Sequence, residues 1–118
     1  MLAIIPTINK SPLTTALIDT LLDDGVSVIV IDGTPEPDIK HAPRPGLTRL
    51  YHVWNIYKTW NFGMHMARVK SHRTLFVLND DLIIAPGSFV KMDALLTESG
   101  FGILSCEDLE RDNEMAMR

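Results

Sequence analysis

The residues best suited to chemistry stand together at Asn79-Asp80-Asp81, where an apolar run from Thr74 to Leu78 stops abruptly. Adjacent carboxylates repel one another, and a cation relieves that repulsion. Hard divalent cations, Mg²⁺ or Mn²⁺, favour such oxygen ligands and usually hold a phosphate as well. The same three residues could equally form a solvated turn capped by Asn79. A second acidic stop, Asp32-Gly33-Thr34, follows the apolar run Val26 to Ile31. A carboxylate at the end of a parallel strand can accept a hydrogen bond from a ribose hydroxyl or a base N–H. Its competing role is that of a turn residue ahead of Gly33. Pro6, Thr7 and Asn9 follow a third apolar run, Leu2 to Ile5, and are ordinary loop residues taken singly. If the three runs lie parallel in one sheet, all these polar ends converge on one crevice.

Other reactive side chains carry less. His41, His52, His65 and His72 show no metal-ligand spacing. Trp54, Tyr57 and Trp60 could stack on a base or sugar ring, but at helical spacing they also suit a core. Lys58, Arg68, Lys70 and Arg73 suit a solvated helix face, with Lys58 the best candidate for a phosphate. No Gly-x-Gly-x-x-Gly follows the first strand and no P-loop lysine motif is present, which disfavours a dinucleotide fold. Cys106 is the only cysteine, so neither an intrachain disulfide nor a cysteine-based zinc site can form.

The elements that must position these residues can be read in order. Leu2 to Ile5 is a short strand. Ser11-Pro12 suits a helix start, and Leu13, Leu17 and Leu21, with Ile18 and Leu22, make the apolar stripe of a helix ended by Gly25. Val26 to Ile31 is the second strand, so strand, helix and strand form a βαβ unit with parallel pairing. Four prolines between Pro35 and Gly46 exclude a regular element there. Leu47 to Val53 reads as a third strand. Trp54 to Lys70 reads as a helix over at least its second half, and Gly63 within it calls for a close helix–strand contact. Thr74 to Leu78 lacks polar alternation and suits a central strand buried on both faces. Pro86-Gly87 opens a third helix with Phe89, Met92 and Leu96 as its buried stripe, and Gly100 ends it. Phe101 to Ser105 reads as a last strand, and residues 106–118 as a short surface helix or tail.

The expected fold is therefore α/β, a single Rossmann-like parallel-rich sheet with helices on both faces. Strands one, two and four are expected at its centre. The 118 residues suit a single domain, 1–118, with one core. An apolar content of 46% with 22% charged residues suits a folded protein. The net charge of −4 disfavours general nucleic-acid binding. No basic leader precedes the first strand and no run reaches the roughly 20 apolar residues of a membrane span. A soluble, cytoplasmic protein is the expectation.

Taken in order, these features resemble the nucleotide-sugar half of the family 2 type glycosyltransferases, which have the GT-A fold. The matching pieces are Ile4-Ile-Pro-Thr-Ile-Asn9, Val28-Ile-Val-Ile-Asp32, Asn61-Phe-Gly63 with Ala67, Leu75-Phe-Val-Leu-Asn-Asp-Asp81, and Pro86-Gly87. The resemblance covers roughly residues 2 to 105 and rests on five motifs in order, none specific alone. It implies that Pro6, Thr7 and Asn9 line a base pocket and that Asp32 binds uracil or ribose. It further implies that Asp80 lies near the ribose or sugar and that Asp81 binds Mg²⁺ or Mn²⁺ bridging the diphosphate of a nucleotide diphosphate sugar, with UDP-sugar as the expected donor.

The chain is about half as long as those enzymes usually are, and the part that normally supplies the acceptor site and the general base has no counterpart before Arg118. Glu107-Asp108 resembles the family's later Glu-Asp pair but arrives early in the chain. Two functions follow from the resemblance: a metal-dependent glycosyltransferase of minimal size, or a non-catalytic nucleotide- or sugar-binding module retaining half the fold. A generic α/β domain with inert acidic strand ends is the third reading. Half a fold leaves apolar surface and a strand edge uncovered, so a homo-oligomer formed through the C-terminal region is expected, most simply a dimer.

Overall fold

The computed structural model describes residues 1–8, 12–35, 44–100 and 102. Their elements are β1 (Leu2–Thr7), α1 (Pro12–Asp23), β2 (Ser27–Asp32), β3 (Leu47–Tyr51), α2 (Ile56–Val69), β4 (Leu75–Val77) and α3 (Ser88–Ser99). The described strands form one sheet in the order β3-β2-β1-β4, and every pairing is parallel. Ala3 and Ile5 point to one face and pack with Leu17, Ile18 and Leu21 of α1 and Phe89 of α3. Leu2 and Ile4 point to the other and pack with Ala67 of α2. Because β1 and β2 are covered on both sides, their sequences run apolar without alternation. The expected α/β architecture, a small Rossmann-like sheet with helices on both faces, is the one found.

Among the described strands β4 pairs with β1 alone. Its apolar run is not buried on both faces, since Phe76 faces the core while Val77 is 44% exposed. An apolar run thus identifies a strand without fixing its burial. Phe101 and residues 103–118 lie outside the described residues, and with them the expected last strand and tail.

Local chemistry accounts for the helices. In α1 the buried side chains are Thr14, Leu17, Ile18 and Leu21, with Leu22 packed against the same core; the expected stripe is found except at its start, where Thr14 is buried and Leu13 exposed. Gly25 ends the helix at φ +81°, the left-handed conformation that glycine adopts without a steric penalty. Helix α2 begins more than a turn before the second half of the expected span, because Asn55 Oδ1 accepts the Lys58 N–H at 2.8 Å as an N-cap. Gly63 lets α2 lie directly on β1: a Cβ there would stand 2.7 Å from Ile4 Cγ2. The α3 start is capped from a distance, with Asp24 accepting the N–H groups of Gly87 (2.8 Å) and Phe89 (3.1 Å). Along α3, Phe89 is fully buried and Met92 and Leu96 half-buried. No helix among the described residues is long and apolar enough to cross a membrane.

Candidate functional site

The strand order reverses direction between β1 and β4. From β1 the chain moves outward through α1 to β2 and then β3, and returns through α2, on the opposite face, to β4. Open α/β sheets bind ligands outside the carboxyl ends of their strands at such a reversal. Pro6 helps to open the gap. It lacks an N–H, and the β1–β4 ladder ends at Ile4–Val77, two residues before it, while the β1–β2 ladder continues to Thr7–Asp32.

A cavity of about 290 Å³ lies here. Pro6, Thr7 and Ile8 line it from the end of β1, and Ile31 and Gly33 from the end of β2. His52, Val53 and Trp54 contribute from beyond β3, Thr59 from α2, and Asp80 from beyond β4. Asp80 is held across the gap, its Oδ2 accepting from Thr7 Oγ1 at 2.8 Å and its carbonyl from Thr14 Oγ1 at 3.1 Å. The buried phase of α1 is thus set partly by a hydroxyl that serves the crevice.

The structure therefore gathers Pro6, Thr7 and Asp80 on one site. Asp81 is exposed on the same turn and does not line the cavity. Lys58 stands beside the site, its ammonium 4.8 Å from the centre of the Trp54 ring. Asn9, Glu107 and Asp108 lie outside the described residues. Among the described residues no group of three or more His, Cys, Asp or Glu side chains could hold a metal.

Asp32 occupies the expected strand end but is only 4% exposed. Its Oδ1 accepts from Thr34 N at 2.9 Å and from Thr34 Oγ1, and its Oδ2 accepts from Arg49 Nη1 at 2.9 Å. Burial alone would raise its pKa; the Thr34 hydrogen bonds and the Arg49 guanidinium outweigh that effect and hold the carboxyl below its ordinary value. Asp32 contributes no lining to the cavity, though Ile31 and Gly33 on either side of it do.

Sequence reasoning missed several residues of this site. Arg49 was unmarked, although an arginine inside a strand that pairs with a buried one signals a required carboxylate partner. His52 was set aside for want of ligand spacing. Its ring stacks on that of Trp54, with centroids 4.5 Å apart and an angle of 2° between the planes. Trp54 is in turn met edge-on by Phe62 at 5.3 Å. Thr59 Oγ1 is buried at the cavity wall with no hydrogen-bond partner among the described residues, and no sequence pattern marks it. Trp60 is half-buried against the α2-side core, whereas Tyr57 is exposed, so the aromatic residues divide between packing and surface. No protein-family model, curated protein or solved structure matches the chain.

Proposed function

We propose that the crevice binds a nucleoside diphosphate sugar together with Mg²⁺ or Mn²⁺, and that the chain is a glycosyltransferase of minimal size. The observation that carries this reading is the Asp80 carboxylate, held by Thr7 in a cavity at the reversal of a parallel sheet. The cavity volume lies near the lower end of the roughly 300–1,000 Å³ typical of small-molecule sites. It suits a nucleoside, with the diphosphate and sugar extending toward Asp80 and Asp81. These two carboxylates offer hard oxygen donors that, completed by diphosphate oxygens, fit Mg²⁺ or Mn²⁺. Such a cation neutralises the charge that develops on a leaving nucleoside diphosphate. Lys58, whose ammonium lies over the ring of the cavity-lining Trp54, is the candidate for a second positive charge.

A specific observation favours a second reading, the non-catalytic nucleotide- or sugar-binding module. Asp80 is the only carboxylate lining the cavity among the described residues, and it already accepts a hydrogen bond from Thr7. Transfer of a labelled sugar to an acceptor, or its hydrolysis, separates the enzyme from the module. Binding is tested first by thermal denaturation with a UDP-sugar, with and without Mn²⁺. Ligand at 100 times its dissociation constant adds about 2.7 kcal/mol of stability. Asp81→Ala should remove the metal-dependent part of the shift and leave the fold intact. Equal shifts in both proteins would remove Asp81 as the metal ligand.

The same reading includes self-association in a reducing, cytoplasmic setting. Among the described residues, Val77 and Ile83 beside β4 are exposed and give an apolar surface that a second copy could cover. Light scattering at micromolar concentration would show a dimer, and a strict monomer would overturn that part.

A further inference from the structure

We infer that the crevice recognises the ring of its nucleotide by stacking on His52, backed by Trp54, and therefore accepts nucleoside diphosphates whatever their base. The inference rests on the nucleotide reading above and departs from the expectation that Asp32 binds uracil or ribose.

Asp32 is already committed. Its two oxygens take three hydrogen bonds from Thr34 and Arg49, and it stands behind the cavity wall. Turning it toward a ligand would break a buried ion pair and strand the Arg49 charge, whose Nε already lacks a partner among the described residues. Among the described residues, a base entering the crevice therefore does not meet a free carboxylate at this strand end.

It meets the His52 ring instead. One face of that ring lies flat on Trp54, and His52 is exposed and lines the cavity. Its main chain is fixed as well, because its N–H donates to the Asp32 carbonyl at 3.0 Å and carries the β2–β3 ladder one step past the strand. Trp54 is braced edge-on by Phe62, so the platform is organised before any ligand arrives. Space is left beside it. A Cβ on Gly33 would lie 3.4 Å from Ile8 Cγ1 and 3.5 Å from the His52 carbonyl oxygen, and the glycine leaves that volume empty.

Among the described residues, the side chains around the platform do not discriminate between bases. Ile8, Ile31 and Val53 offer no hydrogen-bonding side chain. Thr59, although on the wall, is fully buried and presents no accessible hydroxyl to a ring edge. Stacking itself tolerates every base, because each presents a π face.

The test is titration of UDP, GDP and ADP, each with Mg²⁺, followed by tryptophan fluorescence and checked by calorimetry. All three should bind within about tenfold of one another. His52→Ala should weaken all three by roughly 5- to 150-fold, the range spanned by single base–aromatic stacks, and His52→Phe should restore most of the loss. Because His52 is exposed, both variants should keep the wild-type circular dichroism spectrum. A preference beyond about 100-fold for one base, or unchanged affinity in His52→Ala, would overturn the inference while leaving nucleotide binding in place. Failure of all three nucleotides to bind would remove the nucleotide reading, and this inference with it.

Discussion

Replacing Gly63 with alanine tests whether the α2–β1 contact sets the geometry of the crevice. On helix propensity alone the change should stabilise the protein by about 1 kcal/mol. The structure predicts the opposite. The new Cβ would stand 2.7, 2.8 and 3.0 Å from Cγ2, Cβ and Cγ1 of Ile4. Reaching ordinary contact at 3.4 Å requires a separation of about 0.7 Å at the closest atom. Ile4 cannot yield, because it is fully buried and its strand is paired on both sides, with Ile29 and with Val77. Its β-branched side chain is also stiff. Overpacking costs about 1–3 kcal/mol, and three such contacts with an immobile partner place this case at the upper end. Less the propensity gain, the net loss is about 2 kcal/mol. Urea denaturation should show a midpoint lowered by about 1 M with an unchanged slope. The cycle with Ile4→Ala identifies the cause, since that change removes both Cγ atoms and should reduce the penalty for Gly63→Ala. Wild-type stability or better in Gly63→Ala, or strict additivity in the cycle, would refute the reasoning.

Other consequences follow from the same side chains. Arg49→Met leaves Asp32 buried without its cation and should cost about 3–5 kcal/mol at neutral pH, read from the denaturation midpoint. The folded pKa of Asp32 lies below its ordinary value, so its contribution is fully present above about pH 3.9 and is lost as pH falls through the lower folded value. The gap between wild type and Arg49→Met should therefore narrow in acid; a constant gap from pH 7 to pH 2 would show that the pair does not carry the effect. Asp24→Ala removes the acceptor for two N–H groups at the start of α3 and should cost about 1–2 kcal/mol, with hydrogen exchange increased at Gly87 and Phe89. Unchanged exchange there would show that the cap is dispensable.

The parallel sheet was legible because Leu2 to Ile5 and Val26 to Ile31 carry their burial in unbroken apolar runs. The crevice was legible because polar residues follow those runs at once. Gly63 was legible as a contact, since a glycine inside an amphipathic helix needs a spatial reason. What escaped depends on distance in the chain. Asp32 looks like a ligand-binding residue in sequence, and only the register of β3 reveals Arg49 beside it. Thr14 looks like a helix-surface residue until the turn after β4 brings the Asp80 carbonyl to it. The His52–Trp54 pair, two residues apart, requires the backbone direction after β3, which no periodicity encodes.

The two anchors that α1 gives to the opposite end of the sheet restrict chain length. Thr14, near its start, holds the Asp80 carbonyl, and Asp24, just past its end, holds the Gly87 N–H. Ten helical steps separate the anchors, about 15 Å at 1.5 Å per residue. The seven links from Asp80 to Gly87 can span at most about 23–25 Å when fully extended. That connection therefore has slack of about two residues. Extra residues can be looped out toward solvent near the exposed Ile83 without disturbing either anchor. Removing three leaves a reach of about 13–14 Å, too short for both, so either Asp80 leaves the crevice or α3 loses its cap. Length variation in this turn is thus one-sided, tolerant of insertion and intolerant of deletions beyond about two residues.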